Sequence, residues 1–292
     1  MTSRSLNLLL ICICITIGSL ISALSPQIFK VKQENTMKLA TLGAGLLVGS
    51  ALGIVIPEGI ESIYETNQGN SSIVGLLMSA GFVLMLLIDT LIAPHNSHVE
   101  EGKVHTSPAT HTQQPQIPHR MRSYTPLRPI EDNTHSPAKA LSKTAGLTIH
   151  SFCDGIALGA ASLSNSSNSL SIVVFLAVAI HKAPASLGLS TSLLSLRPQL
   201  KTSLYRLCIL IFSLSAPISA FLTFFLLRLM NFNNSDSSIP GYALLFSGGT
   251  FLFVAAQATS EQLEESTNKK QFIALFLTGI ITPILLSLVI SD

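Results

Sequence analysis

Charge is what this chain has least of. Of its 292 residues only 11% are Asp, Glu, Lys or Arg, while 48% are hydrophobic; soluble domains carry about a quarter charged residues. That balance excludes an ordinary water-soluble globule and reads as a membrane protein. Cysteine is sparse too. Cys12, Cys14, Cys153 and Cys208 all sit in apolar runs without framework spacing, which excludes a disulfide scaffold or a cysteine zinc cluster and reads as small buried hydrophobes. Cys153, beside Asp154, is open to a second reading as a pathway thiol. Short alternating strands are missing, which excludes a barrel. The net charge of +2 singles out no partner class, and no nucleic acid is expected.

What is present is a series of apolar runs of roughly 20 residues, the length that crosses about 30 Å of hydrocarbon. There are eight, at about 7–29, 39–57, 72–93, 144–164, 170–194, 207–230, 240–259 and 271–290. The predicted fold class is all-α, an eight-span transmembrane helical bundle. Residues 1–93 supply spans 1 to 3 and residues 144–292 spans 4 to 8. Between them, 94–143 carries seven of the fourteen prolines and six of the eight histidines. That stretch cannot bury a core and reads as a long disordered loop. Its histidines (His95, His98, His105, His111, His119 and His135) form no HxH cluster. Loose metal binding and a plain solvated linker both remain open.

Positive charge orients the bundle. Fourteen of the seventeen Lys and Arg fall in the loops between spans 1 and 2, 3 and 4, 5 and 6, and 7 and 8, which the positive-inside rule places in the cytoplasm. Both termini are then lumenal or outside. The Asn-x-Ser sequons at Asn70, Asn165 and Asn233 fall in the other three loops, where glycans can be added. Arg4, the apolar stretch after it and the small residues Ala23 and Ser25 also resemble a cleavable signal peptide. Cleavage would start the Lys30, Lys32 and Lys38 loop on the wrong side, so a retained helix is expected. Gly45, Gly49 and Gly53 in the second span, with Gly155 and Gly159 in the fourth, give small faces on which helices approach closely.

Two histidines lie in apolar surroundings, His150 and His181. An ionisable group in a bilayer costs about 3 to over 10 kcal/mol, and such groups mark ion or substrate paths. His150 and Asp154 are four residues apart and share one helix face. Imidazole and carboxylate together suit Zn²⁺ and similar divalent ions. His181 comes from the next span, and Pro184 leaves the Ile180 carbonyl without its helical donor, a candidate extra ligand.

The pair His150-Ser-x-x-Asp154-Gly and His181-Lys-x-Pro184 resembles the signatures of the ZIP (Zrt/Irt-like) family, His-Asn-x-x-Asp-Gly and His-Glu-x-Pro-His-Glu. Eight spans, outside termini, the long His-containing loop, Pro57-Glu58-Gly59 and Ser247-Gly-Gly-Thr250 are similar as well. Lys182 after the histidine resembles the small subfamily of the Golgi and secretory pathway. The resemblance implies movement of Zn²⁺ from outside or a lumen toward the cytoplasm, with His150, Asp154 and His181 as metal ligands and zinc as cargo rather than cofactor. It implies a multi-pass protein of a Golgi, other secretory-pathway or plasma membrane. The implied partners are Zn²⁺, other divalent cations and the bilayer, with a homodimer allowed.

The chain departs from the family pattern at Ser151, Lys182, Ala185 and Ser186. Lys182 puts an ammonium where a second cation would sit, so a mononuclear site is expected. That lysine either pairs with Asp154 in the empty site, or faces a wet cavity or snorkels. Glu58, at the end of the second span, fits an entrance carboxylate, and Ser151 a residue beside the pathway. Gln257, Ser260 and Glu261 replace the usual Pro-Glu of the seventh span. Two rival classes stay open, an intramembrane zinc hydrolase of the ceramidase-like kind and a receptor or scaffold whose polar residues only lock helices.

Overall fold

The computed structural model describes residues 3–29, 33–64, 71–92, 135–163, 168–196, 200–230 and 238–291. All regular structure among them is helical: α1 (Ser3–Ile28), α2 (Gln33–Ser50), a π-helical turn (Ala51–Val55), α3 (Ile56–Tyr64), α4 (Ser71–Ile92), α5 (His135–Ala161), α6 (Asn168–Ser195), α7 (Thr202–Leu229), α8 (Ile239–Glu265) and α9 (Lys269–Ser291). The π turn joins α2 and α3 into one rod, so eight rods stand where eight spans are predicted. Pro57 has no N–H for the Gly53 carbonyl and crowds that turn, a recognised cause of local widening.

Seven of the rods are long and apolar enough to cross a membrane. The eighth is α5, whose run is diluted by Thr144, Thr148, His150, Ser151 and Asp154. Its closest neighbours are α7 and α8, with α6 beside them, and His150, Ser151 and Asp154 are buried. The polar cost is therefore met inside the bundle instead of in lipid.

Close helix crossings are made where glycine leaves room. A Cβ at Gly155 or Gly159 of α5 would meet the Ala216 or Ala220 carbonyl of α7; one at Gly45 or Gly49 of α2 would meet Phe276 or Ile280 of α9; one at Gly81 or Gly249 would join α4 and α8 in collision. α1 packs on α6 and α7. Its Ser22 hydroxyl donates to the Ala183 carbonyl at 2.7 Å, and Ser19 Oγ lies 3.0 Å from Ser213 Oγ.

Two boundaries differ from the sequence reading. α5 starts at His135 rather than at 144, because Pro137 is tolerated in a first helical turn and Ala138, Ala140 and Leu141 favour helix. The second rod continues past Pro57 to Tyr64, so Glu58 lies in the first turn of α3 and not at a span end. Residues 94–134 of the loop and the sequons at Asn70, Asn165 and Asn233 lie outside the described residues.

Candidate metal centre

His150 and Asp154 project from one face of α5, and His181 of α6 meets them. All three are buried, at 1%, 0% and 0% exposure, so no water shell satisfies them. Asp154 Oδ2 is 3.0 Å from His181 Nε2 and 3.4 Å from His150 Nε2. One ligand atom from each residue falls within 4.8 Å of the others, the one such His/Cys/Asp/Glu group among the described residues. The other ring nitrogen of His181 lies 2.7 Å from the Ala177 carbonyl. A carbonyl only accepts, so Nδ1 carries the proton, and in the neutral ring Nε2 presents a lone pair to the carboxylate. Two lone pairs 3.0 Å apart repel unless a proton or cation lies between them. His150 Nε2 is buried without a hydrogen-bond partner.

From α8, Ser247 Oγ sits 2.5 Å from Asp154 Oδ1 and 2.9 Å from His150 Nδ1. Phe251 stacks on the His150 ring, with centroids 4.1 Å apart and planes 10° from parallel. A Zn²⁺ ion accepts two imidazole nitrogens and a carboxylate oxygen in such a cluster, leaving one tetrahedral position for a carbonyl or a water. Such a donor set is suited to binding a divalent cation.

A family model described as "ZIP Zinc transporter" matches residues 2–287. The chain belongs to the ZIP zinc transporter family. "Zinc transporter ZIP9" of Micropogonias undulatus is 30% identical across 84% of this chain and 81% of its own length. "Zinc transporter ZIP9-A" of Xenopus laevis is 28% identical over the same shares. "Zinc transporter ZIP9" of Macaca fascicularis reaches 42% over 111 residues, 38% of this chain and 46% of its own. As a ZIP protein the chain is a multi-pass membrane transporter of metal rather than an enzyme, with zinc as the transported substrate.

Within this ZIP bundle Lys182 does not pair with Asp154. At 2% exposure it neither snorkels nor faces a wet cavity. Its ammonium donates to the Ser151 hydroxyl, stands 4.3 Å from the centre of the Phe212 ring, and among the described residues has no carboxylate within ion-pair distance. Ser151 in turn donates to the Phe212 carbonyl at 3.3 Å, and the Ser215 hydroxyl lies against it. The lysine is turned toward α7, held by Ser151 and the Phe212 ring.

Other sequence candidates fall elsewhere. Glu58, half-buried on α3, is outside the three-residue cluster. Gln257 and Glu261 follow Ser247 by ten and fourteen residues on α8, roughly 15 and 21 Å along the helix. Gln257 donates to Asp89 Oδ1 at 3.2 Å, and Glu261 pairs with Lys143 at 2.6 Å. These contacts tie α8 to α4 and α5 away from the cluster. Cys153 is buried and free, and is not part of the cluster. Pro184 lies within α6, which runs unbroken from Asn168 to Ser195.

Sequence reasoning missed Phe251 and Asp89, and took Ser247 only as part of a family-like run. Asp89 was detectable as a carboxylate near the end of an otherwise apolar span. Phe251 carries no such signal, because a phenylalanine in a membrane helix is ordinary until its neighbour is known.

Proposed function

We propose that His150, Asp154 and His181 are the ligands zinc passes through on its way from outside or an organelle lumen to the cytoplasm. The observation that carries this reading is three buried donor atoms within 4.8 Å, one of them, His150 Nε2, without any hydrogen-bond partner. Buried polar atoms are nearly always paired, and a cation supplies the missing partner. Lys182 stands where the family motif has Glu, and a fixed ammonium beside the centre favours one metal at a time. The Ile180 carbonyl is available as a further ligand, since Pro184 gives it no helical donor.

Zinc meets Glu58 on the way in, sheds water, and is held by the three ligands until the helices rearrange. Both imidazoles must be neutral, with Nε2 bare, and the carboxylate ionised to hold it, so protons on the receiving side assist release. The Lys and Arg distribution supports cytoplasmic placement of the 94–143 loop. The His181-Lys182 pair favours a Golgi or other secretory-pathway membrane over the plasma membrane. Other divalent cations share the ligand preference and compete; a homodimer is compatible with the exposed apolar faces of α4 and α9.

Cells carrying His150→Ala or Asp154→Ala are expected to lose at least about tenfold in zinc uptake, the scale of losing one charge-assisted ligand, with delivery to the membrane unchanged. Uptake at the native rate in either variant, at equal protein level, would contradict the ligand assignment.

A further inference from the structure

We infer that Ser247 is a positioning residue for zinc: one hydroxyl on α8 fixes both the ring nitrogen that His150 offers and the carboxylate oxygen that Asp154 offers. The inference rests on the reading of His150, Asp154 and His181 as the ligands. A proton count carries it. Ser247 Oγ is 2.5 Å from Asp154 Oδ1 and 2.9 Å from His150 Nδ1. An ionised carboxylate only accepts, so the single hydroxyl proton goes to Oδ1, and Oγ has only lone pairs left for the imidazole. His150 Nδ1 must then carry the ring proton and donate to Oγ.

The tautomer that results exposes His150 Nε2 as a bare lone pair, and Nε2 is the buried atom without a hydrogen-bond partner, 3.4 Å from Asp154 Oδ2. The same hydroxyl engages Oδ1 and so leaves Oδ2 between the two Nε2 atoms. The third approach of Ser247, 3.4 Å from the His150 carbonyl, is too long to compete for the proton. Phe251, one turn further along α8, stacks on the ring at 4.1 Å and limits its swing. α8 therefore sets the proton position and the tilt of a ligand that α5 carries. His181 is set separately, by the Ala177 carbonyl of its own helix, so removing the Ser247 hydroxyl strikes His150 and Asp154 alone. Ligand histidines fixed in this way lose about 10- to 100-fold in metal affinity when the fixing group is removed.

The test uses the purified full chain in detergent, with zinc affinity read by competition against a chromophoric chelator and the tautomers read from ¹⁵N shifts of labelled histidine at mildly alkaline pH. Native protein is expected to hold His150 and His181 as Nδ1–H tautomers. Ser247→Ala is expected to weaken zinc by about 10- to 100-fold and to change the His150 signal only, and Ser247→Thr, which keeps the hydroxyl, to restore both. A helix-packing role would leave the tautomer untouched. Native affinity with an unchanged His150 signal in Ser247→Ala overturns the positioning role alone. Native protein that binds no zinc, or binds it equally after His181→Ala, overturns the site on which the inference stands.

Discussion

A lysine ammonium at 2% exposure in a helical bundle has to replace its water shell, and Lys182 does so with the Ser151 hydroxyl and the face of Phe212. Stranding a charged donor in low dielectric costs more than losing a neutral contact, about 1.5–3 kcal/mol. Ser151→Ala is accordingly expected to lower unfolding stability by about that amount, measured by thermal denaturation of the metal-free protein. Lys182→Met in the same background should recover most of the loss, since nothing charged is then left unpaired; failure to recover would remove Ser151 from this role. Of the residues around the centre, His150, Asp154 and His181 were legible in the sequence because ionisable groups in apolar runs are expensive and spacing puts two of them on one face. The rotamer of Lys182 was not. Its direction depends on Phe212 and Ser215, 61 and 64 residues beyond Ser151, and no local pattern carries that.

At the scale of helices, α5 is held against α7 by the absence of side chains at Gly155 and Gly159. Gly159→Val would drive a branched side chain into the Ala220 carbonyl and Thr223, which a rigid backbone cannot relieve. A loss of about 1–3 kcal/mol or more follows, visible as reduced yield of folded protein and a lower unfolding midpoint. Gly75→Ala on α4, where an added Cβ meets nothing within 4 Å, should change stability by less than about 0.5 kcal/mol; equal damage from both substitutions would contradict the crossing argument. The four-residue glycine spacing made these contacts legible in advance as close approaches, though not which helix each would meet. The π turn and the early start of α5 were not legible. Their causes, the missing N–H of Pro57 and the helix-favouring Ala138, Ala140 and Leu141 after Pro137, are not weighed by the apolar runs that delimit spans.

For the molecule as a whole, seven rods are long and apolar, and the eighth, α5, packed against α7, α8, α6 and α4, brings His150 and Asp154 to His181 of α6; hydrophobicity alone would have undercounted it. Seven of the rods were legible as spans because length and apolarity are local properties; α5 was read as the eighth from its flanking apolar residues despite its polar ones. The proposed orientation rests on where Lys and Arg lie. With the proposed topology, mobility of the expressed protein should shift after glycosidase treatment and lose that shift when Asn70, Asn165 and Asn233 are all replaced by Gln. A shift obtained only from sequons inserted into the Lys- and Arg-bearing loops would invert the topology. The account stands or falls most directly on zinc flux into liposomes containing purified protein, native against His181→Ala. It predicts zinc entry with the native chain and entry at the protein-free rate with the variant; equal flux through both, or no flux with one zinc held tightly per native chain, would contradict it.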